Sequence, residues 1–365
     1  MKIALFGGTF DPIHKGHIEI AKQAYEELKI DKLYFIPANK NPFKKRKIST
    51  TNEQRIQMLN IAIKKIKDMN FEVSEFETKR GGNSYTFETI RYFRQKFPND
   101  ELFFIMGSDL LPTLNKWENI DEISSKCKIV IYRRNNKINK INIKKYNCLL
   151  MKNKILKDSS TNIRNGIFDF LDEDVNKYIG NNFLYSKEIV HGILSAKRAK
   201  HCVAAATFAA ELAKTINYDA KIAYYAGLFH DICKELNELE FREFISQFNL
   251  NGFDKEIFPN YKLHQIAGSL WLKYIYKIDN EEIIKAVSIH TSLALDLSTL
   301  DKILFIADKI CEGRAFDGVQ KLRQLVKTNF EQGFKEVVKR TYEFNKNKGI
   351  IFDKEQEKIY KKWMS

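Results

Sequence analysis

The sequence predicts an α/β domain built on a parallel sheet, followed by an all-α helical bundle. Three observations predict it. Short β-like runs alternate strictly with helical patterns up to about residue 165, and after about Asn182 strand-like alternation gives way to Ala, Leu, Ile and Lys at helical spacing. The chain also has 365 residues, beyond the size at which single cores usually stop growing.

In the first half, Ile3 to Phe6, Leu33 to Pro37, Phe71 to Ser74, Leu102 to Met106 and Ile129 to Tyr132 read as strands. Helices fit Ile18 to Leu28, Asn52 to Ile66 and Phe87 to Phe97, the second with a capping box expected from Thr50 and Glu53. This alternation implies a parallel sheet covered on both faces. In the second half, helices fit Lys187 to Ile216, Ala220 to Glu235, Leu239 to Gln247, His264 to Tyr274, Glu281 to Ser288, Leu300 to Cys311 and Val319 to Phe344. The polar stretch Asp172 to Asn182 is the expected boundary region, and the domains are drawn as 1–185 and 186–365.

Apolar residues make up 44% and aromatic residues 13% of the chain, enough for packed interiors and too much for disorder. The five cysteines are scattered and form no Cys-x-x-Cys pair, a pattern suited to reduced thiols and a cytoplasmic location. No run approaches the roughly 20 apolar residues of a membrane span, and Met1 to Phe6 is too short for a signal peptide core. The net charge is +15, and residues up to Tyr185 hold 33 basic against 22 acidic side chains. Such a basic half suits phosphate-rich small substrates. No aromatic-interleaved RNA signature or recognition-helix pattern accompanies the charge, which argues against nucleic acid. The oligomeric state is left open.

The strand ending at Phe6 runs into Gly7, Gly8, Thr9 and Phe10, then into His14-x-x-His17 and a helix. Glycines let the backbone approach a polyphosphate, and a helix entrance at the carboxyl edge of a parallel sheet attracts phosphates. His14 and His17 can donate hydrogen bonds to phosphoryl oxygens as charge develops. No protein nucleophile is required for such chemistry.

The segment Gly7-Gly8-Thr9-Phe10-Asp11-Pro12-Ile13-His14-Lys15-Gly16-His17 resembles the signature of the nucleotidyltransferase superfamily, and specifically that of bacterial nicotinate-nucleotide adenylyltransferases. Further segments between residues 1 and 185 resemble the same family: Asn39 to Lys44, Ser84-Tyr85-Thr86, Phe104 to Asp109 followed by Trp117, and Ser159-Ser160-Thr161-Asn162-Ile163-Arg164. The resemblance implies a Rossmann-like domain that joins ATP to nicotinate mononucleotide, with Mg²⁺ held mainly by substrate phosphates. It implies ATP contacts from Gly7, Gly8, Thr9, Phe10, His14, His17, Gly107, Asp109, Ser159, Ser160, Thr161 and Arg164. It implies pyridine mononucleotide contacts from Asn39, Lys44, Thr86 and Trp117, and catalytic roles for His14, His17, Lys44 and Arg164. Hydroxyls and free N–H groups at a helix start, with a cation one turn on, suit a triphosphate clamp. The chain departs from the family at Asn41 and Phe43, where proline and histidine are usual, and at Asp158, where an apolar residue is usual.

In the helical half, His201, His230, His264 and His290 recur with Asp231 directly after His230 and with Asp308 alone in an apolar helix. A buried carboxylate needs a partner, and imidazoles and carboxylates converging from several helices suit one or two ions such as iron, manganese or zinc. The order His201, His230-Asp231, Asp308 resembles the HD phosphohydrolase superfamily, with His264 and His290 matching the pair that binds a second metal in some members. Arg198-x-x-His201, Gly227 to Lys234, His290-Thr291 and Ala307-Asp308-x-x-Cys311-x-x-Arg314 are similar to YqeK-type symmetrical diadenosine tetraphosphate hydrolases. That resemblance implies an all-α HD-domain bundle holding two divalent ions, iron or manganese, on His201, His230, Asp231, His264, His290 and Asp308. It implies phosphate contacts from Lys234 and Arg314, and diadenosine tetraphosphate as substrate. The alternatives are a helical domain that binds nucleotides without hydrolysing them, or a first domain of the phosphopantetheine adenylyltransferase type.

Overall fold

A computed structural model of the chain describes all residues except 43–47, 137, 156–158, 249, 251–253 and 255–257. It divides into two compact units, Met1–Tyr178 and Ile179–Ser365.

The first unit carries β1 (Lys2–Gly8), α1 (Lys15–Glu27), β2 (Lys32–Pro37), α2 (Asn52–Lys64), β3 (Phe71–Val73), α3 (Phe76–Arg80) and α4 (Thr86–Lys96). It continues with β4 (Glu101–Gly107), a 3₁₀ segment (Ser108–Lys116), α5 (Ile120–Lys126), β5 (Lys128–Tyr132), α6 (Lys140–Lys145), β6 (Leu149–Leu150) and α7 (Ser160–Arg164). The sheet runs β3-β2-β1-β4-β5-β6, and every pair is parallel. The strand order reverses between β1 and β4, so a crevice opens beyond their carboxyl ends. Ile3 to Phe6 and Leu102 to Met106 are buried throughout, as strands covered on both faces must be. Ile3 and Leu5 pack with Phe93, Phe104 and Ile129 in one core cluster. On the other side Phe6, Phe10 and Phe35 meet at tilted and edge-to-face angles.

Each predicted strand of this unit is present within one or two residues, with β6 added. The capping box sits one residue later than expected. Thr51 and Gln54 form it, because the Thr50 hydroxyl is buried and donates to Asp11 Oδ1 at 2.7 Å.

After α8 (Glu173–Asn181), which straddles the division between units, the second unit holds α9 (Ser186–Ile193), α10 (Ala196–Thr215), α11 (Ala220–Phe229), α12 (Glu238–Ser246) and α13 (Asn260–Leu270). It continues with a π-helical turn (Trp271–Tyr276), α14 (Glu281–Ile289), α15 (Thr299–Ile310), α16 (Val319–Thr328), α17 (Phe330–Asn347) and α18 (Lys354–Met364). Two long predicted helices are each broken by an N-cap. Ser195 caps α10 through Arg198 N–H, and Asn329 caps α17 through Gln332 N–H. The helix expected through Glu235 stops at Phe229, leaving His230 as its C-cap.

Gly227 sets the closeness of α10 and α11. A Cβ there would lie 2.7 Å from Ala206 Cα, so the two backbones touch. Among the described residues no helix is long and apolar enough to cross a membrane.

Candidate active sites

A cavity of about 480 Å³ opens at the carboxyl end of the sheet, where Phe6 to Gly8 leave β1, Met106 and Gly107 leave β4, and Tyr132 leaves β5. All twelve residues expected to contact ATP line it, as do Thr86 and Trp117. Asn39 does not. Its N–H donates to Ser84 Oγ at 2.9 Å, its amide donates to Gly82 O at 2.8 Å, and its carbonyl accepts from Asn52 at 2.7 Å. Its side chain therefore organises the loops around Ser84. Lys44, with Phe43 and Asp158, lies outside the described residues.

His14 caps α1 and His17 sits in its first turn, with ring centroids 3.7 Å apart. The His14 N–H donates to His17 Nδ1 at 3.3 Å, which leaves Nε2 of His17 as the position for the proton. Phe10, at 5.1 Å, and Phe6, at 6.1 Å, wall the His17 ring. His14 is buried, and neither ring nitrogen has a hydrogen-bond partner among the described residues. Burial, helped by the charge of Arg134, pushes its pKa down to about 3, so its ring is neutral at physiological pH. A buried neutral imidazole with both nitrogens unmet is a polar group prepared for a ligand.

The Ser159–Arg164 segment closes against this loop. Ser160 Oγ donates to Pro12 O at 2.9 Å, Ser159 Oγ caps Asn162 N–H at 3.0 Å, and Arg164 donates to Asp11 O and, at 3.0 Å, to Thr161 Oγ1. Arg164 is buried. Trp117 rests edge-to-face on Phe104 at 6.1 Å.

Several lining residues escaped the sequence reading. Arg133 and Arg134 follow β5 directly, and a pair of cations at a strand's carboxyl end was an available signal. Arg134 Nε lies 3.9 Å from Asp109 Oδ1. Glu77 also lines the cavity; burial raises its pKa, opposed by the hydroxyl of Thr89, which donates at 2.6 Å. Asp11, buried against Thr50, lay inside the quoted motif without a role.

In the second unit the six expected ligands come together from three helices and from the turns that follow two others. His201 lies on α10, His230 and Asp231 just after α11, His264 on α13, His290 just after α14, and Asp308 on α15. His201 Nε2 is 3.1 Å from Asp308 Oδ1, and His230 Nε2 is 3.5 Å from the same oxygen and 3.6 Å from Asp231 Oδ2. The other Asp231 oxygen is 3.6 Å from His290 Nε2 and 3.8 Å from His264 Nε2. Five of the six residues form two groups of potential ligands, His201-His230-Asp308 and His230-Asp231-His290, and His264 stands outside both.

His230 and His290 each direct Nδ1 to a backbone carbonyl at 2.7 Å, of Gly227 and Val287 respectively. Their Nε2 atoms face the centre, buried and without hydrogen bonds among the described residues. A carbonyl-oriented imidazole with its other nitrogen free is the arrangement of a metal ligand. Separations above 3.5 Å are long for hydrogen bonds, but ligand atoms about 2.1 Å from a shared ion come within roughly that range. The chemistry of the donors therefore fits divalent metal.

Burial works against ionisation of both carboxylates, yet His230 for Asp231, and Lys309 with His201 for Asp308, hold them well below the ordinary range. Arg198 donates to Asp231 Oδ2 at 2.8 Å, and Lys309 Nζ to Asp308 Oδ2 at 2.6 Å. Arg314 reaches Asp308 Oδ1 at 3.1 Å from the solvent side. Lys234 is half-buried just after the His-Asp pair, and burial lowers its pKa.

Residues 5–166 match the cytidylyltransferase-like family model, and residues 198–313 match the HD domain model. The probable nicotinate-nucleotide adenylyltransferase/Ap4A hydrolase of Mycoplasma pneumoniae is 36% identical over 309 residues, covering 84% of this chain and 87% of that one. The chain belongs to this family. The corresponding protein of Mycoplasma genitalium is 33% identical over 349 residues, covering 91% of this chain and 95% of its own. The probable nicotinate-nucleotide adenylyltransferase of Clostridium botulinum is similar to the first half alone, with 38% identity over 198 residues that take in 98% of its length. As a member of the family, the chain joins a nucleotidyltransferase unit to an HD hydrolase unit that binds divalent metal.

Proposed function

We propose that the first unit transfers an adenylyl group from ATP to nicotinate mononucleotide, giving deamido-NAD and pyrophosphate. The observation that carries this is one cavity lined together by His14, His17, Arg164, Thr86 and Trp117. A phosphate oxygen of the mononucleotide attacks the α-phosphorus of ATP, the bond from that phosphorus to the bridging oxygen breaks, and pyrophosphate leaves. His14 and His17 donate hydrogen bonds to the phosphoryl oxygens as charge builds, and Arg164, with Ser159, Ser160 and Thr161, holds the triphosphate. Gly7, Gly8, Thr9 and Phe10 let the backbone approach it. Asp109 and Gly107 border the nucleoside. Trp117 offers a face for the pyridine ring and Thr86 a hydroxyl for its carboxylate. Mg²⁺ bound to the substrate phosphates supplies further charge neutralisation.

The second unit, in this reading, hydrolyses diadenosine tetraphosphate to ADP with two divalent ions, iron or manganese. What carries it is the pair of buried Nε2 atoms of His230 and His290, without hydrogen bonds among the described residues, on either side of Asp231. His201, His230, Asp231 and Asp308 would hold one ion and Asp231, His264 and His290 the other. When bound, the ions supply Lewis acidity and acidify water. Arg314 and Lys234 neutralise the phosphate chain as it approaches.

The tests are direct. Protein incubated with ATP and each pyridine mononucleotide should release pyrophosphate fastest with the nicotinate form; equal or greater release with the nicotinamide form would displace it. Diadenosine tetraphosphate with Mn²⁺ or Fe²⁺ should yield ADP. Metal-loaded protein that binds it without forming ADP would leave a nucleotide-binding role in its place.

A further inference from the structure

His264 and His290 are cross-braced by residues that supply no ligand themselves. Gln265, directly after His264 on α13, is 1% exposed. Its Oε1 accepts from the N–H groups of Thr291, at 3.0 Å, and Ser292, at 3.3 Å, just past His290. Its Nε2 donates to Ser292 Oγ at 2.8 Å. The hydroxyl of Thr291 lies 3.1 Å from His264 Nε2, the nitrogen that also faces Asp231, so it holds that atom only until an ion takes its place. From behind, Gln356 on α18, also 1% exposed, donates to the carbonyl of Ser292 at 2.6 Å. Trp363 Nε1 and Lys362 Nζ, on the same helix, donate to Ala294 O at 2.7 Å and Leu295 O at 2.6 Å.

The turn that leaves His290 is therefore tied to α13 through one buried amide and to α18 through another. The distance between the two imidazoles, 5.1 Å between ring centroids, depends on that turn. His201 and His230 are oriented by other means. Cys311 Sγ lies 3.6 Å from His201 Nδ1, and Gly227 O accepts from His230. A buried amide with all its groups engaged is costly to displace, and ligand geometry must hold to about half an ångström.

We propose that Gln265, backed by Gln356, is a positioning residue for the ion held by Asp231, His264 and His290 alone. This rests on the two-ion reading above. Losing such outer partners costs about 10–100-fold in metal affinity, so one ion of two should be lost selectively.

The experiment loads the full chain with Mn²⁺ and counts ions per chain by elemental analysis, with electron paramagnetic resonance reporting spin coupling between them. The wild-type chain should hold two coupled ions. Gln265→Leu should hold one uncoupled ion and bind the second about 10–100-fold more weakly. Gln265→Glu keeps an acceptor for both N–H groups and should restore the pair. If Gln265→Leu fails to fold, Gln356→Leu, which removes the bond to Ser292 O and the longer one accepted from the Tyr261 hydroxyl at 3.3 Å, is expected to weaken the same ion. Fewer than two ions in the wild-type chain overturns the two-ion reading. Two ions in wild type and two equally tight ions in the folded variants overturns this proposal alone, as does loss of both ions together.

Discussion

The backbone N–H of His14 donates to Nδ1 of His17 across the first turn of α1, and the two rings lie 3.7 Å apart. The His14 backbone thereby orients the His17 ring and leaves Nε2 as its donor. Phe6 and Phe10 keep that ring from turning away.

Replacing His17 with Ala should remove one preorganised donor to the phosphoryl group. The expected fall in kcat is about 10²–10³-fold, typical for loss of one such donor, with the KM for ATP changed only a few-fold. Steady-state pyrophosphate release checks it. A large rise in KM at unchanged kcat would make His17 a binding group only.

His14 also makes the first unit sensitive to acid. The unfolded chain takes up this proton below about pH 6.5, whereas burial and Arg134 keep folded His14 neutral down to about 3. Between these values the unfolded state binds more protons, so stability is fully present above pH 6.5 and is lost as pH falls. At pH 5 the loss from this group is about 2 kcal/mol as an upper bound. His14→Gln should lose correspondingly less between pH 7 and pH 5. Hydrogen exchange of the β1 amides in urea measures the difference, and equal losses in the two proteins would mean that His14 titrates freely.

Gly227→Ala should push α10 from α11, because the new Cβ would lie 2.7 Å from Ala206 Cα, a backbone atom that cannot swing aside. Overpacking of this kind costs about 1–3 kcal/mol. His201 and His230 ride on these helices, so hydrolysis should fall while adenylyl transfer continues. Thermal melting of the helical signal, run beside both assays, decides it. An unchanged melting temperature would show that the helices part without cost.

Much of this arrangement could be read from residue order. The β1 strand, its glycines and the His14-x-x-His17 step are consecutive, so local pattern located them, and the reversal of strand order places the cavity at their end. The cluster of potential metal ligands was legible because a carboxylate such as Asp308 inside an apolar helix demands a partner. What stayed hidden depends on tertiary contact. Thr50 has the composition of an N-cap, but Asp11 claims its hydroxyl and passes the role to Thr51. Asn39 fits a phosphate loop until Ser84, Gly82 and Asn52 occupy it. The apolar residues of α18 begin at Ile359, after a charged first turn, so nothing local announces that Gln356 reaches Ser292.

In the proposed two-ion arrangement Asp231 is the residue that both ion positions share. One carboxylate oxygen faces Arg198 at 2.8 Å and His230 at 3.6 Å, and the other faces His290 at 3.6 Å and His264 at 3.8 Å. Asp231→Asn keeps the shape but removes the charge and turns one oxygen into a donor, which would point at imidazole nitrogens or at the guanidinium. Neither orientation preserves both halves. The variant should therefore lose both ions, whereas His290→Ala, which alters only one half, should keep one. Ions per chain after dialysis distinguish the cases, and adenylyl transfer with added Mg²⁺ should persist in both variants. If Asp231→Asn still holds two ions, its carboxylate is not shared and the two positions are independent.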